Sequence, residues 1–197
     1  MSKKETVKGP EPKLSLAASI FEWIEMIVMS ACVVLLIFTF IARPASVDGH
    51  SMENTLHDKE LLIISNLFYE PEREDIVVVQ KINSAHSAPI VKRVIATEGE
   101  TVDYDFVTGK VTVTDVSGET TVLDEGDYIK PELPEAYKST PMDFPITLEE
   151  GEMFVMGDNR NNSLDSRSMA IGIVTEDEIV GHVLLRVFPF NKFGTVN

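Results

Sequence analysis

The sequence is poor in cysteine and in basic charge. Cys32 is the single cysteine among 197 residues, so no intramolecular disulfide can form and cysteine usage does not report the redox compartment. It falls inside an apolar run, where it serves as apolar filler. No His-Glu-x-x-His stretch and no cysteine-histidine cluster occurs, which leaves no recognisable metal or cofactor site. Lysine and arginine total 17 against 32 acidic residues, for a formal net charge of -15. That charge comes from the part after Arg43, which argues against a nucleic-acid surface and for an acidic soluble domain. Internal repeats and low-complexity tracts are also missing. With 44% hydrophobic and 25% charged residues, the length suits one globular domain plus an anchor.

Charge is absent altogether from residues 26–42, and the apolar character extends back through Trp23, Phe21 and Ile20 to Leu16. A helix needs about 20 such residues to span a bilayer, so residues 16–42 read as a transmembrane helix. Glu22 and Glu25 interrupt its first half, at headgroup level near Trp23 or facing a protein partner. A cleavable signal peptide is the competing reading. It is disfavoured because signal cores run to roughly 7 to 15 residues and Pro44 spoils the small-residue stretch after the run. Lys3, Lys4, Lys8 and Lys13 precede the span and Arg43 alone follows it closely. The positive-inside bias then places a flexible tail, residues 1–15, in the cytoplasm and residues 43–197 outside.

Beyond the anchor, short β-branched runs predict strands over 75–80, 90–95, 110–114, 153–156 and 181–188. Turn-formers separate them: Thr108-Gly109, Ser117-Gly118, Glu125-Gly126 and Gly157-Asp158-Asn159. The outer domain is therefore expected to be mostly β. Residues from about 101 to 150 are more acidic and carry Pro131, Pro134, Pro141 and Pro145, which suggests a small inserted β subdomain. The run 61–69 reads as core strand, with lipid contact as its alternative.

One stretch offers chemistry: Val47-Asp48-Gly49-His50-Ser51-Met52-Glu53-Asn54-Thr55-Leu56. Serine is a weak nucleophile unless a base takes its proton and donors receive the oxyanion. Lys92 is the best candidate base, since a lysine among β-branched residues can be forced into apolar surroundings that disfavour the ammonium form. Each residue alone has a bland reading, Ser51 as a turn residue and Lys92 as a solvated charge. The turn-rich stretch 157–167 packs charges of both signs together. It reads either as a polar surface loop or as support for the other two, with Ser163 hydrogen-bonding the lysine and Asp165 paired with Arg93 or Arg167. Histidines are rival bases, but His50 adjoins Ser51 and would point away on an extended chain; His57, His86 and His182 stay open.

These motifs, in this order, resemble those of bacterial type I signal peptidases: Ser51-Met52 with Thr55-Leu56, Asp75-Ile76-Val77-Val78, Lys92-Arg93-Val94-Ile95 with Gly99, and 157–167. A single anchor and a compact outer domain resemble the Gram-positive form. The resemblance implies a signal-peptidase-like β catalytic domain in which Ser51 attacks the scissile carbonyl and neutral Lys92 takes its proton, giving an acyl-enzyme that water hydrolyses. It further implies that Ser163 orients Lys92, that Met52 helps shape the substrate pocket, and that Asp158, Asp165, Arg93 and Arg167 hold the site by ion pairs. The Ser51 backbone N–H would be one oxyanion donor. Gly49 stands where some relatives carry a second, side-chain hydroxyl, so the other donor would be backbone or water. Asn54, Glu74 and Ala96-Thr97-Glu98-Gly99-Glu100 depart from the family's usual proline, glycine and Gly-x-Pro-Gly-Asp.

Substrates implied by the resemblance are exported preproteins cut after small residues; the bilayer and the secretion translocon are the other expected partners. A self-cleaving repressor would need a DNA-binding module for which the anchor leaves no room. A membrane-tethered binding or assembly protein is the non-enzymatic alternative, and the joint presence of Ser51, Lys92 and Ser163 argues against it.

Overall fold

Proline punctuates the junction between helix and sheet. The structure, a computed structural model, describes residues 16–81, 88–126, 128–129 and 139–196. The expected tail (1–15), His86, Pro131 and Pro134 lie outside the described residues. Helix α1 covers Leu16–Leu36 and runs into a π-helical turn, Ile37–Ile41. Pro44 has no N–H to donate to a helix and biases the residue before it toward extended conformation. The chain accordingly enters strand β1, Arg43–Ser46, an edge strand, where proline is tolerated. The apolar stretch Leu16–Thr39 has a mean hydropathy of 2.2 and none of that window is buried. At 1.5 Å per residue it is long enough to cross a bilayer core of about 30 Å. The described residues fall into two separate units, divided between Thr39 and Phe40.

The second unit is built from antiparallel strands. After β1 come β2 (Leu61–Ser65), β3 (Ile76–Val79), β4 (Ile90–Ala96), β5 (Thr101–Tyr104), β6 (Val111–Thr114), β7 (Thr120–Val122), β8 (Ile146–Thr147), β9 (Glu152–Met156), β10 (Val174–Thr175) and β11 (Ile179–Phe188). One sheet of seven strands runs β1-β2-β11-β3-β4-β9-β10 and a second of four runs β7-β6-β5-β8. The outer unit is thus mostly β, and each strand expected from sequence is present to within a residue or two at its ends. The 61–69 run supplies β2, paired on both sides by β1 and β11.

Two kinds of strand follow from two residue patterns. Ile76, Val77, Val78 and Val79 are all apolar and all buried, as a strand covered on both faces requires. In β6 the valines Val111 and Val113 are buried while the threonines that alternate with them, Thr112 and Thr114, are half-exposed. Thr114 and Thr120 meet across the β6–β7 ladder at 2.9 Å, as do Thr101 and Thr147 across β5–β8. The four-stranded sheet buries Val102, Tyr104, Val111 and Val113 against Ile95, Phe154 and Met156 of β4 and β9. Another cluster joins Val47, Met52, Leu56, Leu62, Ile64, Ile76 and Val78 beneath the segment that carries Ser51.

Strand β4 carries Lys92 and Arg93 and pairs differently along its two halves. β3 pairs with the first half, in register Val77↔Lys92 and Ile76↔Arg93. β9 pairs with the second half, beginning at Arg93↔Met156. Beyond Met156 the chain turns away at Gly157.

Candidate active site

Ser51 sits in a run of turns, not on an extended chain, which corrects the expectation that His50 and Ser51 point apart on a strand. The loop is closed at its base by Val47 N–H to Glu60 O and Lys59 N–H to Val47 O, each 2.9 Å. Gly49 has φ +99°, a conformation that costs glycine nothing, and donates its N–H to Asp58 Oδ1 at 3.0 Å. After Ser51 the chain makes a helical turn, Leu56 N–H to Met52 O at 2.8 Å. Met52 and Leu56 are buried and pin that turn to the sheet. Met52 therefore lies beneath the loop that carries Ser51.

Lys92 Nζ lies 2.7 Å from Ser51 Oγ and 2.9 Å from Val91 O. The lysine is 2% exposed. Burial disfavours the ammonium form and carries its pKa from 10.5 down to about 8; Asp165 and Asp158 oppose the fall and Arg167 assists it. An amine that gives up its proton this readily, at hydrogen-bond distance from an alcohol, is able to act as a base toward it.

Around this pair, buried charges are matched one to one. Arg93 grips Asp158 with both prongs, Nε to Oδ1 at 2.9 Å and Nη2 to Oδ2 at 2.8 Å. Its Nη1 reaches Glu74 O at 2.8 Å. Thr55 donates to Asp158 Oδ2 at 2.5 Å, so the first motif is tied to the last. Arg167 grips Asp165 in the same way, at 2.9 and 3.0 Å, and donates to Tyr104 Oη at 3.0 Å and Arg160 O at 2.8 Å. Burial opposes ionisation of Asp165, but the charge and hydrogen bonds of Arg167, together with the Gly157 N–H and Ser163, outweigh it and hold the carboxyl below its ordinary range. The partner of Asp165 is thus Arg167, and Arg93 belongs to Asp158. Two further bonds strap the 157–167 stretch to the nucleophile loop: Asn159 N–H to Ser51 O at 3.0 Å and Asn159 Nδ2 to His50 O at 2.9 Å.

Ser163 differs from expectation. Its Oγ is buried and completes no hydrogen bond of ordinary geometry, although its dipole helps to hold Asp165 ionised. The expected bond to Lys92 is absent; the hydroxyl is packed over Gly157, where a Cβ would collide with it and with Ser51 O. The histidines are elsewhere: His50 is 2.6 Å from Glu53 Oε1, His57 faces Glu60, and His182 stacks on Tyr69 at 4.1 Å. Two departures from the family pattern have a backbone reading. Glu74 takes φ +77°, the region a glycine would occupy at no cost. Asn54 takes φ +99°, which proline cannot reach.

Sequence reasoning misses Thr55, Tyr104, Glu125, Tyr128 and Arg160 as members of the site. Thr55 and Arg160 lie inside the motifs named from sequence. Glu125 reads there only as a turn-former, and nothing in one sequence pairs it with Arg160.

The chain matches the family model described as "Signal peptidase, peptidase S26" over residues 20–188. It is 37% identical over 182 residues to signal peptidase I T of Bacillus subtilis (strain 168), covering 87% of this chain and 86% of that protein. To signal peptidase I of Bacillus amyloliquefaciens it is 32% identical, covering 94% and 97%. To signal peptidase IB of Staphylococcus aureus (strain COL) it is 32% identical, covering 88% and 92%. Among solved structures, a crystal structure of a signal peptidase I from Enterococcus faecalis V583 aligns with a TM-score of 0.41 at 28% identity, covering 58% of this chain and 97% of that one.

Proposed function

The chain belongs to the signal peptidase family, peptidase S26, and from that premise we propose that it is a membrane-anchored serine endopeptidase that removes signal peptides from exported preproteins, with Ser51 as nucleophile and Lys92 as general base. The observation that carries the assignment of residues is the 2.7 Å approach of a buried, easily deprotonated lysine to a serine hydroxyl. Neutral Lys92 accepts the Ser51 proton as Oγ bonds to the scissile carbonyl carbon, and the resulting oxyanion takes a hydrogen bond from the Ser51 backbone N–H. The ammonium of Lys92 then protonates the departing amine, which leaves as the mature protein. The Lys92 amine next accepts a proton from water, whose oxygen attacks the acyl-enzyme; as the C–Oγ bond breaks, the Lys92 ammonium returns that proton to Ser51 Oγ, and the signal peptide departs with its new carboxyl group.

Arg93 with Asp158 and Arg167 with Asp165 serve as rigid braces, Met52 as the floor of the nucleophile loop, and Ser163 as the residue packed against Gly157. Pairing of β4 with β9 begins only at Arg93, so the stretch Ile90 to Lys92 keeps one edge unpaired by β9. An extended peptide with small side chains at alternate positions could add to that edge beside the nucleophile. Lipid bilayer and secretion translocon are proposed as further partners, with the N-terminus in the cytoplasm and residues 43–197 outside. An anchor that holds enzyme and membrane-inserted substrate at one surface raises their effective concentration.

The test is cleavage of a preprotein by full-length protein in detergent. Ser51→Ala and Lys92→Ala are each expected to abolish processing; undiminished processing by either variant rejects the assigned pair.

A further inference from the structure

Arg160 is the third buried arginine of the site, and its counter-charge comes from outside the four motifs. Glu125 binds it with both carboxylate oxygens, Arg160 Nη1 to Glu125 Oε2 at 2.6 Å and Arg160 Nη2 to Glu125 Oε1. Both side chains are buried, at 1% and 5% exposure. Burial works against the charged guanidinium, yet Glu125 holds its pKa above the ordinary value. Arg160 also donates Nε to Gly157 O at 3.2 Å, while its own carbonyl accepts from Arg167. It is therefore wired into the same backbone that carries Asp158 and Asp165. Tyr128, three residues from Glu125, donates its hydroxyl to Glu125 Oε1 at 3.1 Å. Its ring lies 4.1 Å under the Arg93 guanidinium, a stacking that favours the cation. Its carbonyl accepts from Asn54 Nδ2 at 3.4 Å. One short segment thus touches Asn54 of the first motif, Arg93 of the third and Arg160 of the last.

We propose that Glu125 and Tyr128 form a clamp that positions the reacting pair, Glu125 by engaging Arg160 so that Arg160 does not compete for Asp158 and Asp165, and Tyr128 by holding Arg93 and the nucleophile turn together. The inference rests on the assignment of Ser51 and Lys92 made above. Both are positioning residues and neither touches the reacting atoms. Three arginines and three carboxylates balance: Arg93 with Asp158, Arg167 with Asp165, Arg160 with Glu125. Lys92 has no carboxylate partner among the described residues, which is the condition for a neutral amine. Without Glu125, Arg160 is left charged and buried, and a buried ion deprived of its partner seeks another. The only carboxylates within its own stretch are Asp158 and Asp165.

The charges that face Lys92 are Asp165 and Asp158, which favour its ammonium form, and Arg167, which disfavours it. If Arg160 also engages either carboxylate, that carboxylate supports the ammonium less. The neutral form then persists to lower pH, so the acid limb of the rate profile moves down while the geometry of the pair is disturbed. A misplacement of about 1 Å can cost on the order of 10²-fold in rate.

The experiment is the pH dependence of kcat and KM for preprotein cleavage by full-length protein in detergent, comparing Glu125→Gln, Arg160→Gln and the double variant. Glu125→Gln is expected to lower kcat about 10-fold or more with KM little changed, and to move the acid limb to lower pH. The double variant, which has no orphaned guanidinium, is expected to return the limb to its original position. A limb that stays in place in Glu125→Gln, or one that the double variant does not restore, overturns the clamp. Where Glu125→Gln fails to fold by circular dichroism, Tyr128→Phe and Tyr128→Leu decide. The first keeps the ring and loses only the hydroxyl bond to Glu125, while the second removes the ring from under Arg93 as well and should lower kcat further; a kcat in Tyr128→Leu no lower than in Tyr128→Phe overturns the proposal. Ser51→Ala and Lys92→Ala are run in parallel. If either is active, the underlying assignment fails; if both are inert and the limb does not move, only the clamp fails.

Discussion

Lys92 and Arg93 are consecutive on β4 and leave the strand toward opposite faces. They are 2% and 1% exposed, so both are removed from water to the same degree. On one face Arg93 meets Asp158, Thr55, Glu74 O and the ring of Tyr128. On the other, Lys92 meets an alcohol and a carbonyl. Equal burial therefore has opposite consequences. A cation with a bidentate carboxylate stays charged and braces the structure, whereas one without a carboxylate gives up its proton readily and is able to act as a base. Arginine suits the first task because its guanidinium cannot be deprotonated, and lysine the second because its amine can.

The comparison breaks most visibly at Lys92. Lys92→Met keeps the side-chain volume and removes the amine, and preprotein cleavage should fall by about 10⁴-fold or more. The same variant should be more stable at pH 7. The folded amine loses its proton near pH 8, against an ordinary 10.5. Unfolding therefore takes up a proton between those values, stability rises with pH through that window, and the full penalty, on the order of 3 kcal/mol, applies below it. Urea titration at pH 7 and at pH 10 checks this: the advantage of Lys92→Met should shrink at the higher pH. Wild-type cleavage should itself climb as pH rises through about 8, because the proposed general base is the neutral amine.

Across the strand the sign reverses. Asp158→Asn leaves Arg93 buried without its counter-charge and should cost about 3–5 kcal/mol by chemical denaturation. Removing the buried amine on one face stabilises, and removing the counter-charge on the other destabilises. An Asp158→Asn variant as stable as the wild type would show that the two faces are not different in this way.

Gly157→Ala tests the junction between them. The added methyl collides with Ser163 Oγ and Ser51 O. Overpacking of this kind costs about 1–3 kcal/mol, and the displaced Ser51 should slow acylation in single-turnover assays with little change in substrate binding.

Thr55→Val is the mildest. It removes one hydrogen bond to Asp158, whose two oxygens remain held by Arg93. A loss of about 1 kcal/mol in stability and a modest drop in kcat are expected, measured by urea denaturation and initial rates.

The strands and the anchor are legible in the sequence because each rests on local pattern. Ile76 to Val79 read as a buried strand because four β-branched residues in a row have no polar face. Residues 26–42 read as a span because they carry no charge. The nucleophile turn is harder. A strand-like reading makes its neighbours alternate, but Met52 and Leu56, four apart, both pack under the loop and bend it into turns. Glu125 is opaque for another reason: it lies 35 residues from Arg160, and no local rule pairs an acid in one loop with a base in another.

From the chain alone came the family, the order of its motifs, the apolar span and the serine and lysine proposed as the reacting pair, because residue type and short-range spacing carry all of these. Tertiary structure decided which arginine each carboxylate takes, that Ser163 packs over Gly157 without bonding Lys92, and that Lys92 has no acid of its own among the described residues. Those outcomes depend on distances between segments far apart in sequence. Buried charges settle them by pairing wherever the packed sheet brings opposite signs together, and of the four buried cations at this site the lysine beside Ser51 is the one left over.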